Sequence, residues 1–200
     1  MPKTVDFYFD FSSPYAYLMA RDLTHLAQRH GRQMQWYPIL LGPIFKQHNR
    51  TPPIDQSSRG DYLRHDIARV ARRKGLRLNW PERFPFSALN ATRAFYWLQQ
   101  QSPKRADHLA AALLDTVWID GQSIDQPGDL EWVATRLGVD PAQMSAGIQS
   151  DEIKSLTRAR VQQAMDRGVF GSPFVFIDDE PFWGCDRLDD ITHWLETGSF

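Results

Sequence analysis

The chain carries a single cysteine, Cys185, among its 200 residues. One cysteine excludes an intramolecular disulfide framework and any all-cysteine metal site. Neither sign of charge is in excess, because 23 Lys and Arg stand against 24 Asp and Glu, for a formal net charge of −1. So balanced a chain has no bias toward nucleic acid or an anionic membrane surface, and neither is an expected partner. Long uncharged apolar runs are missing, and Met1–Asp6 has no apolar signal core, which makes the cytoplasm the expected location. His25, His30, His65 and His108 lack ligand spacing, so no metal site is expected. Internal repeats and low-complexity tracts are absent as well. What is present is an ordinary globular composition, 42% hydrophobic and 24% charged. At this length it suits one domain, or one domain with a sizeable insertion.

Val5 to Phe11 is rich in β-branched and aromatic residues, with Asp6 and Asp10 near its ends, and reads as a strand. A helix over Ser13–His30 follows, with Leu18, Leu23, Leu26 and Ala27 as its apolar stripe and Gly31 as its stop. Met34–Leu41 reads as a second strand, completing a βαβ unit with a parallel pair. Gly42-Pro43 breaks the pattern and Pro52-Pro53 marks an irregular stretch. From Ser57 to about Gly168 the signal is helical. Leu63, Ile67 and Val70 make one amphipathic face, and further helices are expected over Ser87–Gln101, Arg105–Ile119, Leu130–Leu137 and Pro141–Val169. Trp97, Trp118 and Trp132 fall on apolar faces and read as core. The basic run Arg69, Arg72, Arg73, Lys74 reads as a solvated helix end with favourable dipole placement. Two short strands, Pro173–Ile177 and Pro181–Gly184, flank the turn Asp178-Asp179-Glu180, and a helix over Asp186–Leu195 closes the chain. The order βαβ, helical block, ββα is that of an α/β thioredoxin-like fold with an inserted all-α helical domain. Residues 1–45 and 166–200 form the expected thioredoxin-like domain, and residues 46–165 the inserted helical domain.

In such a fold the reactive group sits where the first strand meets its helix, which here is Ser13. Pro14 suits the first helical position, and Ser13 is the natural N-cap, beside free backbone N–H groups and the positive end of the helix dipole. Ser13-Pro14-Tyr15-Ala16 stands where a redox site carries Cys-x-x-Cys, so disulfide exchange is excluded there. No histidine lies in a triad context that would make Ser13 a nucleophile. Two roles stay open: a plain helix cap, or a hydrogen-bond donor to a thiolate brought from outside. The magnitudes permit the second. Lowering a thiol pKa of about 8.5 by two units takes roughly 2.7 kcal/mol. A hydrogen bond to a charged group gives roughly 1.5–3 kcal/mol and a helix terminus roughly 0.3–1.

Other segments carry open alternatives. Ser172-Pro173 at a strand entrance is either an ordinary trans bond or a cis one that leaves the Ser172 backbone free for a ligand. Asp186, in Trp183-Gly184-Cys185-Asp186-Arg187, is a helix N-cap or the partner of a ligand ammonium. Cys185 reads as a small buried hydrophobe rather than a nucleophile. Gly42–Lys46 with Asn49-Arg50 is either a pocket-lining loop or an ordinary solvated one.

Several of these motifs recur together in one known family. Phe9-Asp10-Phe11-Ser12-Ser13-Pro14-Tyr15, Leu41-Gly42-Pro43-Ile44-Phe45-Lys46 with Asn49-Arg50 and Pro52-Pro53, and Val117-Trp118 with Gly121 are the first three. Val169-Phe170-Gly171-Ser172-Pro173-Phe174 and Trp183-Gly184-Cys185-Asp186-Arg187 complete the set. With them the chain resembles the 2-hydroxychromene-2-carboxylate isomerase family, kin of the kappa-class glutathione transferases in the DsbA-like group. The resemblance implies glutathione as cofactor, a small aromatic substrate and a homodimer. It implies that Ser13 contacts the glutathione sulfur and that Ser172, before a cis Pro173, pairs with the cysteinyl part. Trp183, Gly184, Cys185 and Asp186 would hold the γ-glutamyl end. Lys46, Asn49 and Arg50 would face the glycyl end or an anionic substrate. Phe84–Leu89 departs from the family pattern, carrying Ser87 where an Asn-containing stretch of the substrate pocket is expected. The implied reaction is a glutathione-dependent cis–trans isomerisation in aromatic-ring degradation. A kappa-like transferase or peroxidase is the alternative, and a non-catalytic thiol-peptide-binding module the second alternative.

Overall fold

The computed structural model describes residues 3–55 and 57–200. Strand β1 (Thr4–Phe9) lies at the centre of a sheet ordered β2-β1-β3-β4, with β2 at Gln33–Pro38, β3 at Phe174–Ile177 and β4 at Glu180–Trp183. β1 runs parallel to β2 and antiparallel to β3, and β3 and β4 form an antiparallel hairpin. A central strand is covered on both faces, which is why β1 and β3 are near-continuous apolar runs. Val5, Phe7 and Phe9 join Val175 and Ile177 in the main core, whereas Tyr8, Phe174 and Phe176 pack in a second cluster on the other face. Arg167 closes that second face, lying 4.0 Å over the Phe176 ring and 2.6 Å from Asp6.

Helix α1 (Pro14–Arg29) connects β1 to β2 and buries Leu18, Leu23, Leu26 and Ala27, with Ser13 as its N-cap. Gly31, at φ +64°, ends it. Between β2 and β3 come α2 (Leu41–Gln47), α3 (Ser57–Lys74), α4 (Leu89–Gln101), α5 (Pro103–Trp118), α6 (Glu131–Arg136), α7 (Pro141–Gln149) and α8 (Asp151–Asp166), and α9 (Leu188–Thr197) follows β4. One apolar cluster runs from Phe7 and Phe9 on the sheet through Phe95, Leu113 and Trp118 to Val133 and Ile148 in the helical block. Among the described residues no helix is long and apolar enough to cross a membrane.

Several elements differ from their sequence expectations, each for a local reason. Gly42-Pro43 opens α2 instead of breaking the chain, since Pro43 falls in the first turn, where an N–H has no intrahelical partner. The second strand accordingly ends at Pro38 rather than Leu41. The long helix expected over Pro141–Val169 is two helices. Ser150 is extended at φ −65°, ψ 145°, and its hydroxyl accepts from Ile153 N–H at 3.3 Å to cap α8. The β3–β4 turn is only Asp178-Asp179, both at positive φ (51° and 71°) as a type I′ hairpin requires, so Glu180 belongs to β4. The basic run is not wholly solvated, because Lys74 is largely covered and sits 2.5 Å from Asp22. Trp118 is fully buried, while Trp97 and Trp132 are partly buried against the core.

Candidate functional site

β1 ends in a tight turn. Ser13 N–H donates to the Asp10 carbonyl at 2.9 Å, and the Asp10 carboxylate turns back beneath it. Oδ1 accepts from Ser12 N–H and Ser12 Oγ, each at 2.8 Å, and Oδ2 accepts from Leu41 N–H at 2.7 Å. Asp10 is 3% exposed. Burial pushes its carboxyl above the usual range, while the three donors pull it the other way.

Ser13 is 5% exposed. Its hydroxyl oxygen accepts from Ala16 N–H at 3.3 Å, as an N-cap does, and its proton goes to the Ser172 carbonyl at 3.0 Å. The Ser172–Pro173 peptide is cis. The Ser172 carbonyl is taken by Ser13, because Ser13 and the loop before β3 meet at the same end of the sheet. Among the described residues nothing accepts from the Ser172 N–H. The Ser172 hydroxyl accepts from Asp10 N–H at 2.9 Å, and Gly184 N–H donates to the Pro173 carbonyl at 3.1 Å. Asp10, Ser13, Ser172, Pro173 and Gly184 thus form one hydrogen-bonded group.

The segment after β4 borders this group. Trp183 is 55% exposed and packs edge-on to Phe170 at 4.9 Å. A Cβ on Gly171 would lie 2.5 Å from its indole Nε1, so the indole rests on a bare backbone. Gly184 has φ +110°, and a Cβ there would lie 2.5 Å from Asp186 Oδ1. Asp186 is exposed and is not the N-cap of α9, which starts two residues later with Arg187 in that place. Its carboxyl is held below the usual range, chiefly by the Arg187 guanidinium at 2.7 Å. Cys185 is buried, and burial pushes its thiol up to about 11, so it is not a thiolate near neutral pH. Tyr15, in the first turn of α1, donates to Asp66 Oδ2 at 2.7 Å and draws α3 across the same end of the sheet.

The remaining expected residues stand apart. Lys46, Asn49 and Arg50 are exposed at the C-terminal end of α2, and Asn49 takes φ 50° in the turn closed by Arg50 N–H on the Phe45 carbonyl at 2.8 Å. Ser87 is exposed, and its hydroxyl accepts from Leu89 N–H at 3.4 Å. No hydrogen bond among the described residues joins these four to Ser13 or Ser172. They lie on two structures that are tied to the Ser13 turn indirectly. One is α2, through Leu41 and Asp10. The other is a wall in which Trp80, Phe84 and Trp118 pack edge to face at 5.1–5.7 Å, with Trp118 Nε1 donating to the Phe11 carbonyl at 3.0 Å. Asp10, Tyr15 and Trp80 are neighbours of the site that sequence reasoning did not select. An acidic residue ending an otherwise apolar strand was the available signal for Asp10.

The sheet order, the helical block between β2 and β3, and the helix-capping position beside a cis proline define a DsbA-like thioredoxin fold. Residues 4–196 match the family described as the DSBA-like thioredoxin domain. A 2-hydroxychromene-2-carboxylate isomerase of Sphingobium xenophagum is 30% identical over 197 residues, covering 98% of this chain and 99% of that one. A solved structure of 2-hydroxychromene-2-carboxylate isomerase superposes with a TM-score of 0.88 at 28% identity, covering 96% of this chain and 94% of the other. Glutathione S-transferase kappa 1 of Caenorhabditis elegans is 24% identical over 210 residues, covering 98% of this chain and 93% of its own. The chain belongs to the 2-hydroxychromene-2-carboxylate isomerase family within the DSBA-like group.

Proposed function

We propose that the protein is a glutathione-dependent cis–trans isomerase of an aromatic-degradation intermediate of the 2-hydroxychromene-2-carboxylate type. The observation that carries this reading is the buried Ser13 hydroxyl at the N-terminus of α1, beside cis Ser172–Pro173 and with no cysteine in the turn. Among the described residues no base is bonded to this hydroxyl to make it a nucleophile, yet it can donate to an anion where helix N–H groups already favour one.

The residues suit glutathione. Ser172 offers an N–H with no acceptor among the described residues and a carbonyl whose partner there is a rotatable hydroxyl. Bound here, glutathione would supply a nucleophilic sulfur for reversible addition to an enone-like carbon, the chemistry by which a double bond is made rotatable, and Ser13, Ser172 and Gly184 to Asp186 are the residues that would hold it. Ser13 turns its proton from the Ser172 carbonyl toward the sulfur and holds it as thiolate. The vacated carbonyl and the Ser172 N–H then pair with the backbone of the cysteinyl residue. One hydrogen bond replaces another, so the rearrangement has little net cost. Gly184, Cys185 and Asp186 bind the γ-glutamyl end, with the Asp186 carboxylate toward its ammonium group and Trp183 covering it. Lys46, Asn49, Arg50 and Ser87 face the aromatic, anionic substrate, which packs on the Trp80–Phe84–Trp118 wall.

The kappa-class relative favours a second reading, a transferase that conjugates glutathione to an electrophile. Incubation with 2-hydroxychromene-2-carboxylate, with and without glutathione, followed by mass balance, separates the two. Isomer formed with glutathione returned intact supports the isomerase. A stable thioether supports the transferase. No turnover, together with a bound thiol that titrates as in free solution, leaves only a non-catalytic binding module.

A further inference from the structure

Asp10 spends every polar group it has at the candidate site. Its carbonyl accepts from Ser13 N–H at 2.9 Å and its N–H donates to Ser172 Oγ at 2.9 Å. Its carboxylate divides between two segments: Oδ1 holds Ser12, and Oδ2 holds Leu41 at the start of α2. Among the described residues no Lys, Arg or His pairs with it, although it is 3% exposed. A buried carboxylate with no cation is a costly way to end a strand, and its lost hydration is offset here only by three donors that belong to two parts of one site. Both fixed N–H groups would be left buried and unpaired by an apolar residue.

We infer that Asp10 is the positioning residue of this site, fixing the Ser12-Ser13 turn, which addresses the sulfur, in register with α2, which bears Lys46 and leads into the turn of Asn49, the residues proposed to face the substrate. The inference rests on the proposed role of Ser13. Asparagine is the informative replacement. It keeps the shape but has one acceptor atom, so Asp10→Asn meets two fixed N–H donors on opposite sides and must release either the turn or α2. Misplacement of bound groups by about 1 Å costs up to about a hundredfold in turnover.

The test is steady-state turnover of 2-hydroxychromene-2-carboxylate at about pH 9.5, where about nine-tenths of even an unassisted thiol is ionised and thiol pKa drops out. Asp10→Asn is expected to lower kcat about tenfold or more with the KM for glutathione changed less than about threefold. Leu113→Ala, a core change far from the turn in sequence, serves as the control for lowered stability, matched by melting temperature, and is expected to keep kcat. A kcat for Asp10→Asn within about twofold of wild type, or an equal fall in Leu113→Ala, overturns the inference. If Asp10→Asn fails to fold, Ser12→Ala removes one Oδ1 donor alone. It should lower kcat about threefold under the same conditions, and an unchanged value overturns the inference equally. The underlying reading is checked separately in the wild type. Turnover independent of glutathione removes the role of Ser13 and that of Asp10 with it, whereas glutathione-dependent turnover with an unaffected Asp10→Asn removes only the latter.

Discussion

On the proposed role of Ser13, its replacement removes one charged hydrogen bond from the bound thiolate as well as one cap from α1, and the two losses can be measured apart. A hydrogen bond to a charged group contributes roughly 1.5–3 kcal/mol, which is about one to two units of thiol pKa. With an unassisted thiol near 8.5, Ser13→Ala lowers the ionised fraction at about pH 7 from between a quarter and three-quarters to about 3%. A stabilised thiolate attacks more slowly but leaves more readily, and isomerisation needs both steps, so the ionised fraction dominates the deficit. Turnover should therefore fall about eight- to twenty-five-fold near pH 7, and the deficit should shrink as pH rises past about 8.5. Ser13 also accepts from Ala16 N–H at 3.3 Å. Losing that cap costs about 1 kcal/mol in Ser13→Ala but only a few tenths in Ser13→Gly, since glycine is a tolerated N-cap. In a chain of this size that difference is about 1.5–3 °C in melting temperature. Ultraviolet thiolate absorbance of bound glutathione, titrated beside melting curves, reads both effects. The two variants should share one raised thiol pKa and differ in stability. A bound-thiol pKa equal to wild type in either variant would refute the assigned role of Ser13.

Gly184→Ala places a Cβ about 2.5 Å from Asp186 Oδ1 at φ +110°, so both backbone and carboxylate must shift. Glutathione affinity should fall about tenfold or more by calorimetry, with about 1–3 kcal/mol of lost stability, and an unchanged affinity would exclude this segment from binding. Burial raises the half-buried Asp107 carboxyl to about 6. Its ordinary value is lower, so the folded state binds the extra proton, and this contribution is complete below about pH 4 and lost as pH rises to about 6. Asp107→Asn should therefore stabilise the protein near pH 7.5 by about 1 kcal/mol after allowance for solvent screening, with no gain near pH 4, as read by denaturant midpoints.

Features legible in the sequence were those whose causes are local. β1 announced itself as an aromatic and β-branched run, and Ser13-Pro14 as a cap, because capping involves only the next three residues. The order of elements was enough to place Ser13 where the first strand meets its helix. Features that escaped depend on partners far along the chain. Asp10 acts through Leu41 and Ser172, which lie 31 and 162 positions away. Tyr15 meets Asp66 across 51 positions and Trp118 meets Phe11 across 107. No periodicity encodes such pairs. Ser150 was missed for another reason: an apolar pattern carries through α7 and α8 while a single side chain ends one helix and caps the next. Occupation of the Ser172 carbonyl by Ser13 was invisible because it requires both loops to be in place.

The chain contains one cysteine, and its thiol is not ionised near neutral pH. Cys185 sits beside the candidate site, but burial pushes its thiol up to about 11, and the anion-stabilising position at α1 belongs to a hydroxyl instead. A hydroxyl in that place cannot exchange disulfides; on the proposed function, what the thioredoxin frame would retain is backbone recognition at Ser172 and Gly184 together with a donor to an incoming sulfur. Under that reading, discrimination among acceptors would come from outside the frame, from α2 and from the aromatic wall. Both are fastened to the same four residues: α2 by the Asp10 carboxylate, and the wall by Trp118 on the Phe11 carbonyl. On the proposed function, sulfur and substrate positions would thus both be set by one turn, Asp10 to Ser13. Substitutions that repack the wall should alter which acceptor is used without moving the bound-thiol pKa, whereas substitutions within the turn should disturb both together.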